Sequence, residues 1–248
     1  MRLYRSGTRG RFLRKVLGTG IALLALTGNA FASDNSQLVD VSVGEALKIP
    51  AWSHLTTLID RDEATIEACR RDGSCDRSSV AAFVAFLGSV ADLPRDQQLE
   101  AVNDHFNRLP YMNDDTIFGI EDVWQSPLSF AAGSGDCEDY AIAKYAALRL
   151  LGFAEQDMRL VVLLDESRGI HHAVLEVQHD GHAKVLDNLS TKVEVDMDED
   201  YRPIYALNQV DHWIYMPAAE PEPDLVQTAP ASGDDATDKI EDFLISLF

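Results

Sequence analysis

Basic residues are scarce in this chain of 248 residues, which carries 21 Lys and Arg against 41 Asp and Glu and a formal net charge of −20. Nucleic-acid backbones are bound by clusters of Lys and Arg, so this excess of carboxylates excludes a nucleic-acid partner. Hydrophobic residues make up 46% of the chain, the share of an ordinary globular protein, which excludes a chain that is disordered throughout. The negative net charge favours cationic partners and metal ions over nucleic acids.

Long apolar runs are also lacking, because no stretch after residue 32 approaches the roughly 20 residues that a membrane-spanning helix needs. Within residues 1–32, six basic residues precede an apolar stretch over 16–26, and Ala30 and Ala32 are small residues suited to a cleavage site. This pattern predicts a secretory signal peptide that is removed after Ala32. The exported chain then carries 15 basic and 41 acidic residues, a net charge of −26. We expect a periplasmic protein without direct membrane insertion.

Apolar spacing predicts helices in the first part of the chain. Between residues 43 and 109 apolar side chains recur at three- and four-residue steps, and Pro110 stops the last of these helices because it lacks a backbone donor. Residues 111–135 are rich in Asn, Asp, Gly and Ser and are predicted to be irregular, with a short helical piece near 127–130. A further helix is predicted over 137–151.

Strands are predicted in the second part, where β-branched and leucine-rich runs are bounded by turn residues. These runs lie at 159–164, 170–177, 182–187 and 212–216. Helices followed by an antiparallel sheet indicate an α+β fold with segregated elements, here assigned to one domain over residues 33–216. Residues 217–248 are predicted to be an acidic flexible tail that ends in a short amphipathic helix.

Cysteines number only three. Cys69 and Cys75 are close enough to form a short disulfide loop in an oxidising compartment, a bond that stabilises by about 2 kcal/mol in the chain-entropy estimate. Cys137 is then unpaired, at the point where a glycine-containing loop gives way to the predicted helix. A helix N-terminus favours the thiolate and offers backbone donors to an oxyanion. This position suits acyl transfer by a cysteine nucleophile.

A nucleophilic cysteine needs a base, and the base needs an orienting group. His171 and His172 lie in the second predicted strand, and Asp187 ends the third. Adjacent strand residues point to opposite faces, so only one of the two histidines can face Cys137, and strand parity alone does not say which. Spacing alone is equally compatible with three residues that have no common role.

Acidic residues surround this cysteine: Asp136, Glu138 and Asp139. Like charges raise the pKa of a neighbouring thiol, although carboxylates also favour a helix N-terminus for its own sake. A hard divalent cation such as Ca²⁺ would neutralise the cluster. Two other acidic runs, 113–115 and 196–200, lack the spacing of an EF-hand loop and are interpreted as solvated faces. The absence of CxxC and HExxH patterns disfavours zinc.

Three separated motifs carry a family resemblance. Residues 135–145 (GDCEDYAIAKY), 172–175 (HAVL) and 185–189 (VLDNL) resemble the bacterial transglutaminase-like cysteine proteinase family, and most of all its LapG-type periplasmic proteases. The resemblance runs from about residue 117 to 213. It implies a papain-like or transglutaminase-like core with Cys137 as nucleophile, His172 as general base and Asp187 as the group that orients the imidazole, because the histidine of the family is directly followed by Ala-Val-Leu.

The same resemblance implies a cofactor, a substrate and a partner. It implies a Ca²⁺ site that uses Asp136 and Glu138, with Asp139 as a further candidate. The expected function is endoproteolytic cleavage of the N-terminal region of a large surface adhesin, which releases biofilm, under control of the periplasmic domain of an inner-membrane cyclic di-GMP receptor. Two alternatives remain open at this point: acyl transfer to an amine, and a non-catalytic calcium-binding adaptor in which Cys137 is inert.

Overall fold

The computed structural model describes residues 38–42, 50–73, 75–120 and 122–217. The predicted signal peptide and the predicted tail beyond residue 217 lie outside these ranges. In the described part of the chain, no helix is both long enough and apolar enough to cross a membrane.

Helices fill the first part of the described chain, as the apolar spacing predicts. The predicted cysteine helix begins at Cys137, and the helix before Pro110 ends two residues earlier than its apolar pattern, because Leu109 turns back onto Phe106. The helices are α1 (Pro50–Asp72), α2 (Ser78–Val90), α3 (Arg95–Asn107), α4 (Asp114–Phe118), α5 (Pro127–Phe130) and α6 (Cys137–Leu150).

A seven-stranded antiparallel sheet forms the second layer, in the spatial order β1-β7-β6-β2-β3-β4-β5. The predicted α+β fold is therefore confirmed. Its strands are β1 (Leu38–Ser42), β2 (Met158–Asp165), β3 (Ile170–His179), β4 (His182–Leu186), β5 (Glu194–Val195), β6 (Tyr201–Leu207) and β7 (His212–Pro217).

Strand β6 was not predicted from the sequence, although it pairs with both β2 and β7. It contains Pro203, which lacks a backbone N–H and normally argues against an interior strand. Here Pro203 pairs with Leu163 where the register of β2 and β6 shifts, so the irregularity of the ladder accommodates the missing donor. The edge strands β1 and β5 were also missed.

Helix α6 packs on β3 and β2 on one side and on α3 on the other. Every residue from Asp139 to Leu148 is buried, which explains why its sequence lacks a clean polar face. Asp139 and Lys144 are among them with no exposed surface. A helix buried on all sides is a rigid support for the residue at its N-terminus, which is Cys137.

Cys69, near the end of α1, and Cys75 form a disulfide with a Cα–Cα distance of 4.9 Å. The side chain of Cys69 also belongs to the apolar core. Cys137 is the free cysteine of the described residues and is half-buried.

Candidate active site

The N-terminus of α6 is shaped by a reciprocal cap around the cysteine. Asp136 precedes the helix in an extended conformation and accepts from the backbone of Asp139, while the carboxylate of Asp139 accepts from the Asp136 amide at 3.3 Å. Such a capping box satisfies backbone donors that the first helical turn leaves open. Gly135 is required beside it, because a Cβ there would collide with the Asp139 carboxylate.

Asp139 is fully buried and connects α6 to the segment before α5. Its two oxygens accept from the backbone amide of Gln125 at 2.8 Å and from Gln125 Nε2 at 2.7 Å. Burial raises the pKa of Asp139 to about 7, against the effect of the bonds from Gln125. These bonds place Asp139, a predicted calcium ligand, outside the acidic cluster described below.

A cleft of about 630 Å³ opens beside Cys137. Both histidines border it, but they differ in environment, since His172 is buried and His171 is exposed at the rim. Aromatic and aliphatic side chains form most of the remaining wall, together with acidic residues. That wall consists of Tyr111, Asp122, Trp124, Asp136, Glu138, Val162, Ala173, Ile204 and Tyr205.

His172 is joined to Asp187, as the resemblance implied, with 2.9 Å between His172 Nε2 and Asp187 Oδ1. The same carboxylate accepts from the Leu189 amide at 2.9 Å and from the hydroxyl of Tyr201 at 2.7 Å. Burial alone would raise the pKa of Asp187, but the bond to His172 and these other donors outweigh it and lower that pKa. Asp187 is therefore held ionised against the imidazole.

Tyr201 is a site residue that sequence analysis missed. It is the first residue of β6, the strand that was not predicted because it contains Pro203. Its ring packs edge-on against the His172 ring, with 5.6 Å between the ring centroids. Sequence spacing offers no signal for this contact, because it depends on the pairing of β6 with β2 and of β2 with β3.

The beginning of β3 lies at the same cleft as Cys137. Within β3, only Leu175–His179 pair with β4, and the beginning of β3 borders the cleft. Cys137, His172 and Ala173 border this same cleft, and the backbone amide of Ala173, the residue that follows His172, lowers the pKa of the Cys137 thiol. The fold thus brings Cys137 and His172 to one cleft, and the imidazole to Asp187.

The thiol faces carboxylates as well. Cys137 Sγ lies 3.2 Å from Glu138 Oε2. Burial raises the pKa of the thiol, Glu138 and Asp136 raise it further, and the Ala173 amide lowers it. The flanking acidic residues therefore oppose ionisation of the thiol in the folded protein, as the sequence indicated. Ionisation needs a compensating positive charge or a base.

Three carboxylates converge beside Cys137: Asp114 from the start of α4, together with Asp136 and Glu138. Each offers an oxygen within 4.8 Å of the others. Burial and the neighbouring Asp136 raise the pKa of Glu138 to about 9. Among the described residues, Asp114 Oδ1 and Asp136 Oδ1 are buried oxygens without a hydrogen-bond partner. Unpartnered carboxylate oxygens of this kind fit a hard divalent cation that takes oxygen ligands.

Asp114 corrects one interpretation of the sequence. The acidic run 113–115 was interpreted as a solvated face. This is wrong for Asp114, which is only 2% exposed. Its backbone amide lies 3.4 Å from Asp136 Oδ2, and its carboxylate accepts from the Val123 amide. Asp115 beside it is exposed, as expected.

Comparison with known proteins defines the class of this site. Residues 67–220 match the family model for bacterial transglutaminase-like cysteine proteinases. The chain belongs to this family, and it is a cysteine protease of the transglutaminase-like fold. A search of curated proteins found no match.

Within the family, the chain is similar to LapG of Legionella pneumophila. One solved structure of LapG is 28% identical, with a TM-score of 0.51, and the match covers 63% of this chain and 87% of that one. An EGTA-treated form gives the same identity and TM-score, with 63% and 84% covered. A calcium-bound form, at 24% identity and a TM-score of 0.52, matches 77% of this chain and 99% of that one. These matches show that the chain has a fold similar to that of LapG.

Proposed function

We propose that this protein is a calcium-dependent periplasmic cysteine endopeptidase that cleaves the N-terminal region of a large cell-surface adhesin. The observation that carries the catalytic part is the bond of 2.9 Å between His172 and Asp187, with His172 and Cys137 bordering one cleft. Membership of the cysteine proteinase family supports peptide hydrolysis as the reaction. The adhesin and its biofilm role rest on the LapG-type resemblance.

Cys137, His172 and Asp187 have separate roles in the proposed reaction. Cys137 attacks the scissile carbonyl and forms a thioester, and His172 takes the thiol proton and passes it to the leaving amine. Because His172 Nε2 is bonded to Asp187, the proton transfers fall to Nδ1. His172 then activates the water that hydrolyses the thioester. Asp187 fixes the tautomer and stabilises the imidazolium.

Backbone amides at the start of α6, including that of Cys137, are placed to stabilise the oxyanion of the tetrahedral intermediate. They lie at the positive end of a helix of 14 residues. Donors of this kind are fixed by the fold before substrate binds, which is the source of their catalytic value.

Asp114, Asp136 and Glu138 would hold the calcium ion. When bound, the ion supplies positive charge that offsets the carboxylates beside the Cys137 thiol. The calcium-bound and EGTA-treated structures of Legionella LapG support this choice of metal. The Cys69–Cys75 disulfide is compatible with the oxidising periplasm, which the sequence pattern of a signal peptide also favours.

The function is tested by incubating the protein with an N-terminal fragment of the adhesin in calcium and in EGTA. We expect two cleaved fragments in calcium and a rate at least about 100-fold lower in EGTA, because the carboxylates beside the thiol are then uncompensated. Mass spectrometry of the products separates hydrolysis from acyl transfer, which would yield cross-linked or aminated product. Calcium added back in excess should restore cleavage. Equal rates in calcium and EGTA would exclude the metal from the proposal.

We also propose that the periplasmic domain of an inner-membrane cyclic di-GMP receptor sequesters this protease when cyclic di-GMP is high. A pull-down with that domain is expected to retain the protease and to slow cleavage in proportion to the amount bound. The Cys137→Ala variant should be retained equally, because capture does not require the thiol. Failure of both proteins to bind would remove the receptor from the proposal.

A further inference from the structure

Lys144 is a buried ionisable side chain that the proposed reaction does not use directly. It follows Cys137 by seven residues on α6, about two helical turns, so both lie near the same face of that helix. The side chain has no exposed surface, and its Nζ lies 2.8 Å from Asn103 Oδ1 of α3. A buried charge is costly unless it is well bonded, so this position calls for a physical explanation.

Asn103 also contacts the loop that follows β4. Its amide Nδ2 donates to the carbonyl oxygen of Ser190 at 3.0 Å and lies 3.5 Å from that of Lys192. An amide has one accepting and one donating end. Because Lys144 occupies the oxygen of Asn103, the donating end faces the loop.

Asn107, one turn further along α3, adds two bonds to the same loop. Its Nδ2 donates to the carbonyl oxygens of Asp187 and Ser190, each at 2.8 Å. Helical residues four apart lie on one face, so the two amides act side by side. We call this arrangement of Lys144, Asn103 and Asn107 against residues 187–192 the loop clamp.

We propose that Lys144 is a positioning residue for the catalytic histidine, acting through the loop clamp on Asp187. It orients Asn103, which together with Asn107 fixes the loop and so holds the Asp187 carboxylate against His172. The inference rests on the proposed cysteine-protease function. It means that α6 places the nucleophile at its N-terminus and, two turns later, fixes the carboxylate that orients the base.

Electrostatics agrees with this geometry. Burial lowers the pKa of Lys144 to about 7, while the negative charge of Asp187 opposes that decrease. The ammonium and the carboxylate therefore favour each other's charged forms across the clamp. A purely apolar residue at position 144 would fill the space and supply neither the donor nor the charge.

The test replaces Lys144 with Met, whose unbranched side chain is one atom shorter, fills most of the same space and removes the donor. We expect kcat on the adhesin fragment to fall about 10- to 100-fold with KM within about twofold of wild type, because Asp187 and His172 lose their alignment while the cleft is unchanged. Amide hydrogen exchange at Leu189 and Lys192 should accelerate about tenfold or more. Lys144→Gln, which can still donate to Asn103, should recover part of both losses.

The control is Leu87→Ala, a truncation in the buried core of α2 that leaves the loop clamp untouched. It should lower stability without the selective loss of kcat or the faster exchange in the loop. If Lys144→Met does not fold, Asn107→Ala, at a half-buried position, removes two clamp bonds without removing a buried charge and should give the same kcat loss.

The two proposals fail in different ways. A wild-type protein that cleaves no peptide would contradict the proposed function, and the exchange measurement would still decide whether Lys144 holds the loop. A wild-type protein that cleaves normally, with Lys144→Met and Asn107→Ala both showing wild-type kcat and loop exchange, would overturn the clamp alone.

Discussion

Replacement of Cys137 with Ala is expected to lower the rate of peptide cleavage by at least about 10⁴-fold, because no other group in the cleft can form the thioester. The fold should persist, because Ala is favourable in a helix. The contact of the lost thiol with the Glu138 carboxylate contributes little to stability. The measurement is cleavage of the adhesin fragment, with the thermal midpoint recorded for the same preparation. Cleavage by the variant above background would exclude covalent catalysis at this residue.

Alkylation separates this prediction from an inert thiol. Cys137 is the free cysteine of the described residues, so a thiol reagent reports on it directly. A catalytic cysteine should be alkylated quickly at neutral pH in calcium, and the loss of activity should follow the same time course. His172→Gln, which removes the base and keeps the thiol, provides the matched control and should be alkylated more slowly. A uniformly slow reaction would favour the non-catalytic adaptor.

The fold class could be predicted from the sequence because local patterns determine most of its elements. Apolar spacing located α3, and the glycine-containing loop before Cys137 located the start of α6. β6 escaped prediction because Pro203 breaks the pattern of an interior strand, and the irregular register that accommodates it is a property of the assembled sheet. The edge strand β5 has only two residues, too few to give a periodic signal.

In the candidate site too, contacts between motifs could be predicted from the sequence, whereas contacts that form only in the assembled fold could not. The bond between His172 and Asp187 was predicted from motifs whose order along the chain is informative. Asp114 was misinterpreted because its role depends on a partner, Asp136, that lies 22 residues later and meets it only after folding. Asp139 was grouped with its acidic neighbours by sequence, yet a helix turns successive residues by about 100°, so it points to Gln125 instead.

Substitution of Asp114 by Asn is expected to lower activity about 2- to 10-fold at a calcium concentration ten times the wild-type Kd, through about a 10- to 100-fold loss of calcium affinity. Asn keeps the shape and can still accept from the Val123 amide, so the effect isolates the negative charge. The measurements are calcium titrations of cleavage and of the thermal midpoint. Higher calcium should restore much of the activity. Asp115→Asn, at the exposed neighbouring position, is the matched control and should behave as wild type.

Stability gives this prediction a signature that a merely structural carboxylate would not produce. Calcium at 100 times its Kd stabilises the folded state by about 2.7 kcal/mol, or roughly 5–10 °C in the thermal midpoint of a domain of this size. In EGTA, Asp114→Asn should be at least as stable as wild type, because it relieves repulsion with Asp136 and Glu138. In calcium the order should reverse. If Asp114→Asn is less stable than wild type by the same amount in both conditions, Asp114 supports the fold and does not bind the ion.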